Sequence, residues 1–169
     1  MLNCEFISDE HKENIQAFNC SDEISVAVFL KEHALGLHLI NSAITRLFFD
    51  DNRNLIGYFT LYNEMVFMSE EKRRKHDLDH MPKDKHLPAV KMHYLGVDER
   101  YRKRGFGEYL LFEALYVIKQ ISNMSGCNFV TLESLNSSYG FYEKYEFQKL
   151  RQIDRDYTAM FYNLETLDI

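Results

Sequence analysis

The chain has 169 residues, 46% of them hydrophobic and 14% aromatic, and a formal net charge of −6. This length and apolar content predict one domain, residues 1–169, with a real core, and exclude a disordered chain. No run of about 18 apolar residues occurs, which excludes a membrane-spanning helix, so no membrane partner is expected.

The amino-terminal MLNCEFISDEHKEN lacks the basic-then-apolar order of a signal peptide, making the cytoplasm the expected compartment. Cys4, Cys20 and Cys127 are odd in number and lack metal-ligand spacing, so they read as reduced packing residues. Residues 22–34, DEISVAVFLKEHA, predict a helix capped by Asp22 or Ser21, with Ile24, Val28 and Leu35 near one face. A second short helix is expected around 36–42. AITRLFFD (43–50) and NLIGYFTLYNEMVFM (54–68) read as strands joined through DNRN, whose Asp and Asn tolerate a tight turn.

Residues 69–88, SEEKRRKHDLDHMPKDKHLP, contain both prolines and predict a polar connection of the kind that carries function or moves. Between 72 and 104, eleven Lys/Arg stand against five Asp/Glu, a local balance of +6 that leaves −12 on the remainder. A basic stretch on an acidic protein points to an anionic ligand at one place rather than a nucleic acid wrapped over a surface. A solvated charged loop is the plainer reading. His76, His80 and His86 have generic spacing and no helix to align them, so no metal is expected.

PAVKMHYLGV (88–97) reads as a buried strand. From Gly105 to Ser122 the apolar positions Phe106, Leu110, Leu111, Ala114, Leu115, Ile118 and Ile121 recur at three and four, the period of a helix. NFVTLESL (128–135) is a strand, and NSSYGFYEKY (136–145) a short helix opened by Asn136 or Ser137. FQKLRQI (147–153) and YTAMFYNL (157–164) are strands with DRD turning between them. The full order is strand, helices, two strands, long loop, strand, helix, strand, helix, two strands.

The stretch DERYRKRGFG (98–107) has a physical logic. The first turn of a helix leaves backbone N–H groups unpaired, and with the helix dipole they favour a phosphate. Glycine at 105 and 107 removes side chains that would hold a pyrophosphate away, and Arg100, Arg102, Lys103 and Arg104 add charge at the rim. A charged helix terminus with incidental glycines is the competing reading. No G-x-x-x-x-G-K-S/T is present, and a dinucleotide G-x-G-x-x-G fails because position 110 is Leu.

R-x-x-G-x-G at 102–107 resembles the pyrophosphate signature of the GNAT superfamily of acyl-CoA N-acyltransferases. MHYLGVDERYRKRGFG is similar to that family's L-x-V-x-x-x-x-R/Q-x-x-G-x-G, and SSYGFYEKYEFQKL to its A-x-x-F-Y-x-x-x-G-F. Glu146 stands where the family usually has Gly, and Ser138 where it often has Ala. The resemblance covers most of the chain and extends to the acetyltransferase toxins of bacterial toxin–antitoxin pairs. It implies an α/β fold with a mixed, mostly antiparallel sheet of about six to seven strands and about four helices.

The same resemblance implies acetyl-CoA as cosubstrate. The pantetheine would lie along Leu95, Gly96 and Val97, and a backbone N–H of Gly96 or Val97 would serve the oxyanion. The pyrophosphate would lie on Arg102, Lys103, Arg104, Gly105, Phe106, Gly107 and Glu108, with Asn136 and Tyr142 also at the cofactor. Tyr142 would be the general acid, with Tyr139 and Tyr145 as fallbacks, because a phenol of pKa ~10 can protonate a thiolate whose conjugate acid is nearer ~8.5. The base stays open: Glu133 and Glu64 could each act through water, and an α-amino ester needs no strong base.

Three readings of function remain. The acceptor is the amino group of aminoacyl-tRNA, with Lys72, Arg73, Arg74, Lys75, Lys83 and Lys85 on phosphates and an antitoxin as partner. Alternatively it is a small amine or a protein amino group. The third reading is a catalytically silent CoA-binding module. A homodimer is compatible with each.

Overall fold

The computed structural model describes residues 2–83 and 86–167. In chain order the elements are β1 (Asn3–Phe6), α1 (Lys12–Ala17), α2 (Ile24–Glu32), α3 (Ala34–Leu39), β2 (Ile44–Phe49), β3 (Leu55–Val66) and α4 (Glu70–Lys75). Then come β4 (Leu87–Val97), α5 (Phe106–Ser125), β5 (Phe129–Leu135), α6 (Asn136–Lys144), β6 (Gln148–Gln152) and β7 (Tyr157–Asn163). The strands follow the order β1-β2-β3-β4-β5-β7-β6 in one mixed sheet. The α/β expectation holds, with two α-helices more than the four expected.

Both additional helices are six residues long and mostly polar, so they show no apolar period. In α4 other signals decide. The Ser69 side chain accepts the Lys72 N–H, Glu70 and Glu71 occupy the first turn, and Lys72 to Lys75 the last. Acid at the amino end and base at the carboxyl end both favour a helix dipole. The polar connection expected over 69–88 is thus helical in its first part.

The chain divides into two compact units. The first, Met1–Tyr62 with Met92–Tyr116, contains the antiparallel pairs β1·β2 and β2·β3. In the turn between β2 and β3, the Asp50 carboxylate accepts the N–H groups of Asn52 and Asn54, and Arg53 takes a φ of 64°. Phe18, Phe29, Leu30, Leu47, Phe49 and Tyr58 form the core, and the Tyr58 hydroxyl donates to the Val26 carbonyl at 2.7 Å.

The faces of α2 differ from expectation. Ala27, Phe29 and Leu30 are buried, whereas Ile24 is 66% exposed and Val28 is exposed as well. The helix starts two residues later than expected, and the side it turns to β3 is that of Phe29, whose ring stacks on Tyr58. Neither expected cap acts: Glu23 is the N-cap without a side-chain bond, because Asp22 pairs with Arg102 and Ser21 donates to Glu99.

The second unit, Asn63–Lys91 with Val117–Ile169, has β5 at its centre. Ala89, Val90 and Lys91 of β4 pair in parallel with Phe129, Val130 and Thr131, while β7 pairs antiparallel with β5 on one side and β6 on the other. Val66, Met68, Leu78, Met81, Leu87, Phe129 and Phe161 form its core. Among the described residues no helix is long and apolar enough to cross a membrane. The packing role expected of the cysteines fits Cys20, which is buried, and fails for Cys4, which is exposed.

Candidate active site

The β4 strand ends at Val97, and the next residue, Asp98, is wholly buried. Its carboxylate accepts the N–H of Asn19 at 2.9 Å, the N–H of Arg100 at 3.0 Å, and two guanidinium N–H groups of Arg100 at 2.8 and 2.9 Å. Burial alone would raise this carboxyl, but the Arg100 guanidinium and the two backbone donors outweigh it, and it titrates below the usual range. Asp98 therefore pins the start of the loop. Glu99 does the same from outside, accepting from Ser21 and Asn19.

Arg102 turns inward. Its guanidinium pairs with Asp22, contacts Cys20 Sγ at 2.7 Å, and its Nε donates to the Val97 carbonyl at 3.3 Å. The Arg102 hydrogen bond holds the Asp22 carboxyl below its usual range. Two of the four loop cations thus brace the protein. Lys103 and Arg104 stay exposed, and the Arg104 guanidinium lies 5.7 Å from the centre of the Tyr101 ring.

Backbone geometry sets the character of this loop. Lys103 and Gly105 have φ of 59° and 83°, and the Gly105 carbonyl accepts the Tyr109 N–H to begin α5. Among the described residues, no acceptor meets the N–H groups of Arg102, Lys103, Arg104 or Gly105. Four donors in a loop opening a 20-residue helix fit the oxygens of a pyrophosphate. A Cβ at Gly105 would meet nothing within 4 Å, so its glycine is required by the positive φ. Phe106 and Gly107 are half-buried in the first turn of α5, and Glu108 beside them is exposed.

Gly96 has a different reason. A Cβ there would lie 2.4 Å from Val26 and 3.1 Å from the Tyr58 ring, so glycine lets α2 pack directly on β4. Its neighbours Leu95 and Val97 are half-buried.

In the second unit, α6 carries Tyr142, which is 9% exposed and edge-on to Phe141 at 5.1 Å and to Phe147 at 5.7 Å. Its hydroxyl has no hydrogen-bond partner among the described residues, yet no fully enclosed polar side-chain atom lacks one, so the oxygen reaches solvent. Burial pushes the phenol well above its usual pKa, keeping it a proton donor across the neutral range. Tyr139 and Tyr145 are half-buried. The helix closes with the N–H of Phe147 on the Tyr142 carbonyl and that of Glu146 on Glu143, a Schellman pattern. Glu146 sits at its left-handed position, φ 66°, where glycine costs least.

A profile of the acetyltransferase (GNAT) family matches residues 11–147. The chain belongs to this family. It is an acetyltransferase, with acetyl-CoA as cosubstrate. No curated protein sequence matches it. Among solved structures, AtaT complexed with acetyl-methionyl-tRNAfMet is 23% identical over 98% of this chain and 96% of that one, with a TM-score of 0.79. A tyrosine-to-phenylalanine mutant of KacT is 24% identical over 98% and 96%, TM-score 0.80. AtaTR bound with AcCoA is 23% identical over 98% and 95%, TM-score 0.78. These likenesses establish the GNAT fold.

Other residues singled out in this GNAT chain separate. Asn136 is exposed; its N–H donates to the Asp156 carbonyl at 3.0 Å and its amide to the Arg155 carbonyl at 2.9 Å. It ties α6 to the β6–β7 turn, and Leu135 rather than Asn136 or Ser137 is the N-cap. Glu133 pairs with Lys91 at 2.5 Å, and Glu64 accepts the Thr131 hydroxyl. His80 pairs with Glu165 at 2.9 Å, His76 stands edge-on to Phe161, and His86 lies against Phe67.

The expectation that Lys72 and Arg73 face phosphates is corrected. Arg73 is 2% exposed, with its guanidinium donating to the carbonyls of Met68, Met81 and Pro82, and Lys72 donates to the Leu150 carbonyl. Both cations are turned inward, onto backbone carbonyls. Arg74, Lys75 and Lys83 are exposed; Lys85 lies outside the described residues. Asp98 and Asp22 were missed as loop braces, although an Asp two residues before Arg at a strand end is a readable capping signal.

Proposed function

We propose that the protein transfers the acetyl group of acetyl-CoA to the α-amino group of an aminoacyl-tRNA. The unpaired N–H groups of 102–105 hold the pyrophosphate, and Leu95–Val97 pairs with the pantetheine as an added strand. A backbone N–H of Gly96 or Val97 stabilises the oxyanion, and the Tyr142 phenol protonates the departing thiolate. Phe106, Gly107 and Glu108 line the pyrophosphate from the first turn of α5; Asn136 acts by ordering α6. In this reading residues 1–169 work as one catalytic domain in the cytoplasm, as a homodimer restrained by an antitoxin.

The observation that carries the acceptor is likeness along 98% of the chain to AtaT, solved with acetyl-methionyl-tRNAfMet and, in another structure, with the C-terminus of the antitoxin AtaR. One observation favours a second reading, a small-amine or protein N-acetyltransferase. Lys72 and Arg73 are used internally, and the net charge is −6. Incubation with labelled acetyl-CoA, charged tRNA and a panel of amines separates the two. Label on charged tRNA alone supports the proposal; label on the amines alone overturns it. In the same assay Tyr142→Phe should keep CoA affinity and lower turnover by ~10²-fold or more. Near-normal turnover would reduce Tyr142 to packing.

A further inference from the structure

Within the first unit, two segments far apart in sequence are tied together: the linker between α1 and α2, residues 18–23, and the loop 98–105. The linker has no helix or strand of its own. Phe18 is nevertheless wholly buried, edge-on to Tyr58 at 5.6 Å, and Cys20 is 3% exposed. These two anchors in a close-packed core make the linker a fixed support. Its hydrogen bonds run to the loop. The Asn19 N–H donates to Asp98 at 2.9 Å, and the Glu99 N–H donates back to the Asn19 carbonyl at 3.0 Å. The Glu99 carboxylate accepts the Asn19 amide at 2.7 Å and the N–H and hydroxyl of Ser21 at 2.9 and 2.5 Å. Asp22 takes the guanidinium of Arg102.

On charge alone, Asp22 and Glu99 are misplaced. The Asp22 side chain is 65% exposed and Glu99 is half-buried, so neither is shut away from the loop they touch. Negative charge beside an anion site repels its ligand, and an exposed ion pair adds little stability. Backbone geometry gives the reason for them. Lys103 holds a left-handed conformation, φ 59°, which a residue with a side chain keeps only where its surroundings fix it. Its neighbour Arg102 is fixed by Asp22 and by the Val97 carbonyl, and Glu99 fixes the loop three residues earlier. Without these braces the loop samples other conformations, and its N–H groups are ordered only at the expense of binding.

We propose that Asp22 and Glu99 are positioning residues for acetyl-CoA. Acting through the loop backbone, they hold the N–H groups of 102–105 in the arrangement that takes the pyrophosphate. The inference rests on the reading that those N–H groups bind the pyrophosphate, and adds the residues that set the affinity. Its sign is opposite to that of simple charge. Neutralising the two acids weakens the binding of an anion, whereas removing a repulsion would tighten it.

The test is calorimetry with CoA and with pantetheine, which lacks the pyrophosphate and nucleotide, on wild type, Asp22→Asn, Asp22→Glu and the double variant Asp22→Asn, Glu99→Gln. A loop competent one tenth of the time binds about tenfold more weakly. The double variant should therefore raise the CoA Kd about tenfold or more and leave the pantetheine Kd unchanged. Its melting temperature should shift by no more than about 3 °C, since the acids lost are exposed or half-buried. Asp22→Glu, which can restore the ion pair, should bind CoA more tightly than Asp22→Asn. In turnover, KM for acetyl-CoA should rise with Kd while kcat stays within about twofold, because neither acid touches the reacting atoms. An unchanged or tighter CoA affinity in the double variant overturns the proposal. Equal weakening of CoA and pantetheine overturns it too, since that is general damage to the fold. If wild type itself holds CoA no more tightly than pantetheine, the pyrophosphate reading falls and the proposal with it. Should the double variant fail to fold, Asp22→Asn decides alone: unchanged CoA affinity overturns the proposal.

Discussion

The chain carries two compact basic runs, KRRK at 72–75 and RYRKR at 100–104, and they do opposite things. In both, some cations face the protein: Arg73 and Lys72 reach backbone carbonyls, Arg100 and Arg102 reach Asp98 and Asp22. What separates them is the backbone beside them. The first run is the last turn of α4, where the helix presents carbonyl oxygens; the second precedes α5, where it presents N–H groups. Position relative to a helix end, more than the count of charges, decides which run can hold an anion.

The largest effect should come from the inward member of the first run. Arg73→Ala removes the guanidinium from the buried carbonyls of Met68 and Met81 and from that of Pro82, and should cost about 3 kcal/mol of stability, whereas Arg74→Ala should stay within about 0.5 kcal/mol. Chemical denaturation of the two variants measures the difference, and equal midpoints would break the comparison.

The second run is tested through its backbone. Gly105→Asp should weaken CoA binding by about 100-fold or more, because a carboxylate would sit among donors meant for phosphate. Gly105→Ala separates this from strain: it should cost about 1–2 kcal/mol of stability at φ 83° and keep far more of the affinity. Calorimetry with CoA reads both.

The exposed cations near the first run provide a milder test. Replacing Arg74, Lys75 and Lys83 with Ser should lower the log–log salt slope of the charged-tRNA KM by about two to three. Measured at about 50 and 200 mM salt, equal slopes would remove this face from tRNA contact.

Glu146 permits a gain. Glu146→Gly relieves a left-handed side-chain position and should stabilise the protein by about 1 kcal/mol, visible as a higher Tm. The last effect is nil at neutral pH. Asp98, Asp22 and Glu99 all have folded pKa values below their unfolded ones. Their contribution is therefore complete above the unfolded values and lost as pH falls through the folded ones. Melting temperature should drop on acidification below about pH 4, and Asp98→Asn should flatten that drop.

Much of this was legible before any coordinates. Alternation and three-four spacing place β2, β3, β4, α5, β5 and β7, because each buries much of its length, while β6, mostly exposed, is read from the turn that joins it to β7. R-x-x-G-x-G locates the loop that opens α5, with Gly105 at φ 83°, since glycine spacing records backbone geometry directly. The short helices α1 and α4 escaped because their six residues are mostly polar and show no apolar period, unlike the equally short, apolar α3.

Sequence by itself thus determined the family, the cosubstrate and the order of the strands and longer helices, all properties of local pattern. The tertiary structure alone decided which charges are available. Arg102 and Arg73 look in sequence like their exposed neighbours, and only the position of Asp22, 80 residues away, or of the Met68, Met81 and Pro82 carbonyls turns them inward. Glu64 and Glu133 are equally alike on paper; the fold gives one the Thr131 hydroxyl and the other Lys91. A side chain's partner is set by where the fold brings distant residues together, and a buried or half-buried charge keeps its place only when that packing supplies one.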